Sequence, residues 1–152
     1  EFILTLEQQI KDLTFEVGIA LDEEKNVKIV KEGVLNKVVF SEEERKSILA
    51  SILTHNHPSQ TPHSEIDLVF AYEHDLKEIR VVISEKIYVI KPNSEGWKSP
   101  VEVGRLFNEI WVEIVNSVQK GLISHEQALE KRNHIGLTIA QKLNYQIQII
   151  EI

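Results

Sequence analysis

At 152 residues the chain has the length of one domain, and 42% hydrophobic with 27% charged residues is the make-up of a folded globular protein, not a disordered one. The absence of cysteine excludes a disulfide scaffold, a thiolate metal site and a cysteine nucleophile, so any metal site has to be built from His, Asp and Glu. A formal charge of −7 without clustered Lys and Arg argues against nucleic acid as a partner, and no apolar run approaches the roughly 20 residues of a membrane span.

In chain order, LTLEQQIKDL (4–13) predicts a short helix and TFEVGIAL (14–21) a strand. In that strand Phe15, Val17, Ile19 and Leu21 share one face, and Glu16, Gly18 and Ala20 the other. The polar run 22–26 is a turn, and NVKIVKEG (26–33) returns as a hairpin partner. VLNKVVF (34–40) predicts a third strand. Ser41 with Glu44 makes a capping box for a short helix through Ser47. SILTHNH (51–57) is a strand running into the loop PSQTP, and Ser64 caps a helix to about Asp75. EIRVVIS and KIYVIKP are two further strands, followed by the irregular stretch KPNSEGWKSP.

Beyond it the pattern turns helical. Val103, Phe107, Ile110, Trp111, Ile114, Val115 and Val118 recur on one face, which places Trp111 in the core. Gly121 suits a helix C-terminus. Ser124 and Gln127 cap a second helix predicted to reach about Leu143, and YQIQIIEI closes as a strand. The expected class is α/β, a mixed sheet flanked by helices, in a single domain over 1–152.

Chemistry concentrates in His55-Asn56-His57-Pro58 and Ser64-Glu65-Ile66-Asp67. On an extended backbone residues i and i+2 point the same way, so both imidazoles can hold one ion. Six residues, 58–63, let the chain reverse before Asp67 in the first helical turn points back at them. Two His and one carboxylate leave a fourth tetrahedral position for water, the layout of a catalytic zinc. A base is still required. Glu16 can serve as that base, in competition with Glu23 and Glu32.

The run HNHP followed by S-x-x-D, with an upstream Glu in EVGIAL, resembles the JAMM/MPN (JAB-like) metalloprotease family, and its HNHP form is similar to the RadC-like, phage-structural and polymorphic-toxin branches. The resemblance covers about residues 14–91; residues 100–152 resemble, more weakly, a C-terminal helical extension of phage-type domains. It implies a cytidine-deaminase-like architecture with zinc at one edge of the sheet. It implies Zn2+ on His55, His57 and Asp67, Glu16 as acid/base, and Ser64 as the hydroxyl that holds the oxyanion or orients water. The expected activity is hydrolysis of an amide, peptide or isopeptide bond in a protein or peptide substrate.

One departure is the spacer between His57 and Ser64, six residues where the family usually has seven. With the C-terminal helices it motivates a second reading, a non-catalytic binding or assembly module of a phage or toxin protein. A metal-dependent toxin domain with another substrate is a third. The chain is expected to be soluble, since EFILTLEQQ lacks the basic-then-apolar order of a signal peptide.

The remaining aromatic and imidazole residues take plainer expectations. The string HNH is not the dispersed triad of an HNH nuclease. His63 is expected on an exposed loop and His74 in solvent. His125 and His134 have no partner pattern, and Trp97 is expected to pack under its loop.

Overall fold

The computed structural model describes residues 2–33 and 38–152. Helix α1 (Phe2–Ile10) precedes the hairpin β1 (Val17–Leu21) and β2 (Val27–Glu32). Then come α2 (Glu42–Ile48), β3 (Ile52–Asn56), α3 (Glu65–Glu73), β4 (Glu78–Val82) and β5 (Lys86–Lys91). Helices α4 (Pro100–Gln119), α5 (His125–Asn133) and α6 (Ile135–Lys142) lead to β6 (Gln146–Glu151). The strands form one mixed sheet in the order β2-β1-β3-β4-β5-β6. Only β3 and β4 run parallel, joined through α3; every other pair is antiparallel.

Alternation along the strands divides the core in two. Val17, Ile19, Leu21 and Ile52 pack with Ile3 and Ile10 of α1. Ala20 and Leu53 project to the opposite face, into a larger cluster with Leu68 of α3, Val103 and Ile110 of α4, and Ile135 and Ile139 of α6. With helices on both sides, β1, β3 and β4 are buried along their whole length. The capping boxes expected at Ser41, Ser64 and Ser124 all form.

Several expectations need correction. Of the predicted strand 34–40, residues 34–37 lie outside the described residues, and 38–40 form no strand. Val38 and Phe40 instead lean on Gly18, and Phe40 packs on Phe70 with ring centroids 5.9 Å apart. The second late helix breaks at His134, whose backbone (φ −104°, ψ 9°) leaves the helical region. Trp111 is 39% exposed. The buried stripe of α4 runs Val103, Leu106, Ile110, Ile114, and Trp111 falls beside it, where Arg132 lies 5.8 Å from its ring. Trp97 does pack under its loop, donating from Nε1 to Leu76 O at 2.7 Å.

The C-terminal elements are built into the domain. β6 pairs with β5 over six register positions, and α6 belongs to the larger core. Among the described residues no helix is long and apolar enough to cross a membrane.

Candidate metal centre

The site lies at the carboxyl end of β3, third of six strands, where the chain leaves the sheet for α3; it is not at a sheet edge as the sequence led us to expect. Such strand ends are where open α/β sheets commonly build sites, because the loops there are free to carry functional side chains. His55 ends inside β3 and His57 directly follows the strand, so both rings project to the face that carries α3 and α6. Their Nε2 atoms are 3.1 Å apart. Ser64 caps α3, and the capping box turns the Asp67 carboxylate back towards the strand. Asp67 Oδ1 lies 3.1 Å from His55 Nε2, and Oδ2 lies 3.5 Å from His57 Nε2. The six-residue spacer therefore brings Asp67 to both imidazoles.

Proton counting shows that this cluster suits a cation. His57 Nδ1 faces two carbonyls, Thr61 O at 2.9 Å and Pro62 O at 3.1 Å. Carbonyls only accept, so Nδ1 carries the proton and Nε2 presents a lone pair to the cluster. That lone pair, His55 Nε2 and the carboxylate converge, with all ligand atoms of the trio within 4.8 Å of one another. Among them only His55 has a proton to offer. The donor set could hold a metal ion, and the carbonyl partners behind His57 match the outer hydrogen bonds that orient metal-binding histidines.

The charges follow the same logic. Burial alone would raise the Asp67 carboxyl, but His55 beside it, with His57, holds it well below the ordinary range. Burial would depress His55, yet Asp67 outweighs it and raises that imidazole above its usual value. For His57 burial wins and the value falls. In effect His55 and Asp67 hold a proton where a metal would sit.

Glu16 precedes β1 by one residue and is 8% exposed. The β1–β3 ladder ends with Gly18 opposite His55, and Glu16, two residues further on, lines the same cavity as the histidines, close enough for His55 and Asp67 to act on its charge. Burial, reinforced by Asp67 and opposed by His55, pushes the Glu16 carboxyl up to about 7. Its rivals are elsewhere: Glu32 is exposed, and Glu23 is exposed with Lys77 at 3.3 Å. Glu16, His55, His57, Ser64 and Asp67 share the wall of one cavity of about 330 Å³. The Ser64 hydroxyl accepts from Asp67 N and lies 3.3 Å from Asp67 Oδ2, so its first task is to orient that carboxylate.

Two residues serve the site without a signal that pattern reading could detect. Asn56, between the two histidines, points to the other face of the sheet. Its Oδ1 accepts from Val17 N at 2.7 Å and its Nδ2 donates to Phe15 O at 2.9 Å, so it pins the backbone on both sides of Glu16. Gly136 of α6 lies against the start of α3. A Cβ on it would come within 2.0 Å of His63 O. Only glycine lets α6 brace that peptide.

Two histidines expected in solvent are interior. His63 is fully buried and donates from Nε2 to Ile79 O at 2.9 Å; burial pushes its imidazole down to about 4, so it is neutral. His74, at the C-cap of α3, is 3% exposed, stacks on Phe70 at 4.0 Å and bonds Phe70 O. In both cases a backbone carbonyl, of β4 for His63 and of α3 itself for His74, satisfies one ring nitrogen, which makes burial tolerable. No family model, curated protein or solved structure matches this chain. What stands is a mixed α/β domain with a buried His-His-Asp group able to hold a metal ion.

Proposed function

We propose that the domain is a zinc-dependent hydrolase of an amide, peptide or isopeptide bond, as the JAMM-like motif implies. The observation that carries this reading is the placement of an unpaired, buried carboxyl with a value near 7 in the same cavity as three converging metal-type donors. His55, His57 and Asp67 would hold the ion, which supplies Lewis acidity to a carbonyl and lowers the pKa of water. Glu16 takes a proton from the attacking water and returns it to the leaving amine, its burial in the cavity wall giving it the proton affinity a base needs. Ser64 keeps Asp67 aimed at the histidines, its hydroxyl donating to Asp67 Oδ2 at 3.3 Å. Asn56 holds Glu16 in place by bonding the peptide groups around it.

The test separates holding the metal from the chemistry. Protein purified without chelator should contain about one zinc per chain. Glu16→Gln should keep the zinc and lose hydrolysis of a peptide or isopeptide panel, whereas His57→Ala should lose both. A protein that neither carries nor takes up zinc at neutral pH sinks the reading. Zinc without hydrolysis in the native sequence would favour a binding or assembly module.

A further inference from the structure

We infer that the cavity beside the metal-type cluster is a specificity pocket for one branched apolar side chain, of leucine or isoleucine size, on the residue adjoining the bond to be cleaved. The inference rests on the hydrolase reading for the identity of that bond, but pocket occupancy is measurable without it. Away from Glu16, Ser64 and the His-His-Asp group, the described lining is Gly18, Val38, Phe40, Leu53, Ile66 and Phe70. None of these can hydrogen-bond through its side chain. Leu53 and Phe40 belong to the larger core, with Val38 and Phe70 packed against it, so the cavity is a notch in that core opening at the polar cluster. A charged or amide side chain would lose its water there with no partner in return. An apolar side chain would gain by leaving water, while the carbonyl next to it lay at the histidines.

Gly18 points the same way. It is the second residue of β1, an interior strand, at the last position paired with β3, where glycine weakens the ladder and often marks a close approach by a ligand. Its backbone does not demand glycine, since the positive-φ glycines are Gly96 and Gly121. A Cβ at position 18 would lie 3.2 Å from Phe40 Cζ and 3.4 Å from Val38 Cγ1, in the cavity wall. Glycine lets Phe40 and Val38 seat against β1 as the cavity wall, and a larger residue at 18 would push that wall out of place. The opening is bounded by Ile66, 70% exposed on the first turn of α3 beside the cluster. An exposed isoleucine at this point extends the apolar wall to the solvent.

The experiment compares N-acetyl-leucine amide with N-acetyl-glycine amide by amide-shift titration of the metal-free protein. The leucine probe should bind roughly ten- to a hundredfold more tightly, the gain expected from burying its side chain. Shifts should centre on Gly18, Leu53 and Phe70. Gly18→Val should remove the preference. If that variant does not fold, Ile66→Asp, at an exposed helix position, should reduce the preference several-fold. A parallel series with zinc-loaded protein uses leucine hydroxamate against acetohydroxamate. Equal affinity for the leucine and glycine probes, or shifts elsewhere on the molecule, would overturn the pocket whatever the metal result. A leucine preference in a protein that takes up no zinc would instead keep the pocket and remove the hydrolase reading.

Discussion

Strand β3 separates two buried polar clusters of opposite character. On the α1 face, fully buried Glu7 accepts from Arg80 Nε at 2.6 Å, from Arg80 NH2 at 3.0 Å and from Thr54 Oγ1 at 2.8 Å. Glu78 takes another guanidinium proton at 3.2 Å. Donors and acceptors match, and the cluster is closed. One residue along the strand, on the other face, His55 joins His57 and Asp67 in a group with more lone pairs than protons. Glu16 stands beside it with no ion-pair partner among the described residues. The first cluster is complete as protein; the second could hold a metal ion. Burying charge costs several kcal/mol per ion unless geometry and hydrogen bonds offset it, so an incomplete cluster is informative where a complete one is not.

The sharpest way to break this comparison is to damage each cluster in turn. Glu7→Ala leaves Arg80 buried with half its partners. It should destabilise the domain by about 3–5 kcal/mol, read by urea unfolding, with zinc stoichiometry of the folded protein unchanged. His57→Ala should do the reverse. In zinc at a hundredfold over its Kd, the native chain should gain about 2.7 kcal/mol over the metal-free protein, and the variant should gain nothing. If Glu7→Ala instead abolishes zinc binding in protein that remains folded, the two faces are not independent.

Gly136→Ala tests the brace between α6 and the start of α3, both on the face of the His-His-Asp group. Displacing α6 from the His63 peptide should cost about 1–3 kcal/mol. Because the same displacement moves Ser64 and Asp67, zinc affinity should also fall. Combined with Asp67→Ala, the Gly136 change should have no further effect on affinity, and an additive result would rule out action through Asp67.

The smallest expected effect is a pH dependence. With its value raised from 4.5 to about 7, Glu16 binds a proton in the folded metal-free protein that the unfolded chain has already released. Stability contributed by that proton is present at low pH and lost as pH rises through about 4.5 to 7. Glu16→Gln removes the titration. Its melting temperature in the absence of metal should match the native chain near pH 4 and exceed it, by a few degrees, at pH 8. A constant offset across that range would show that Glu16 is not shifted.

Much of the local structure is legible along the chain. The alternation at residues 17–21, the three capping boxes and the spacing of His55, His57 and Asp67 each depend on neighbours within a few residues, and each forms as expected. Boundaries and environments are less so. The break at His134, the exposure of Trp111 and the burial of His63 arise from how α4, α5 and α6 pack on α3 and the sheet, and His74 is buried where the end of α3 meets Ala50, contacts between residues far apart in sequence. Glu16 was one carboxylate among three until the fold brought it into the cavity that the histidines line. The sequence by itself determined which residue types converge and the period on which they do so. The tertiary structure decided which face they share, which charges there go unpaired, and that Gly136 and Asn56 hold them, because backbone approach and pairing register have no signature in residue spacing.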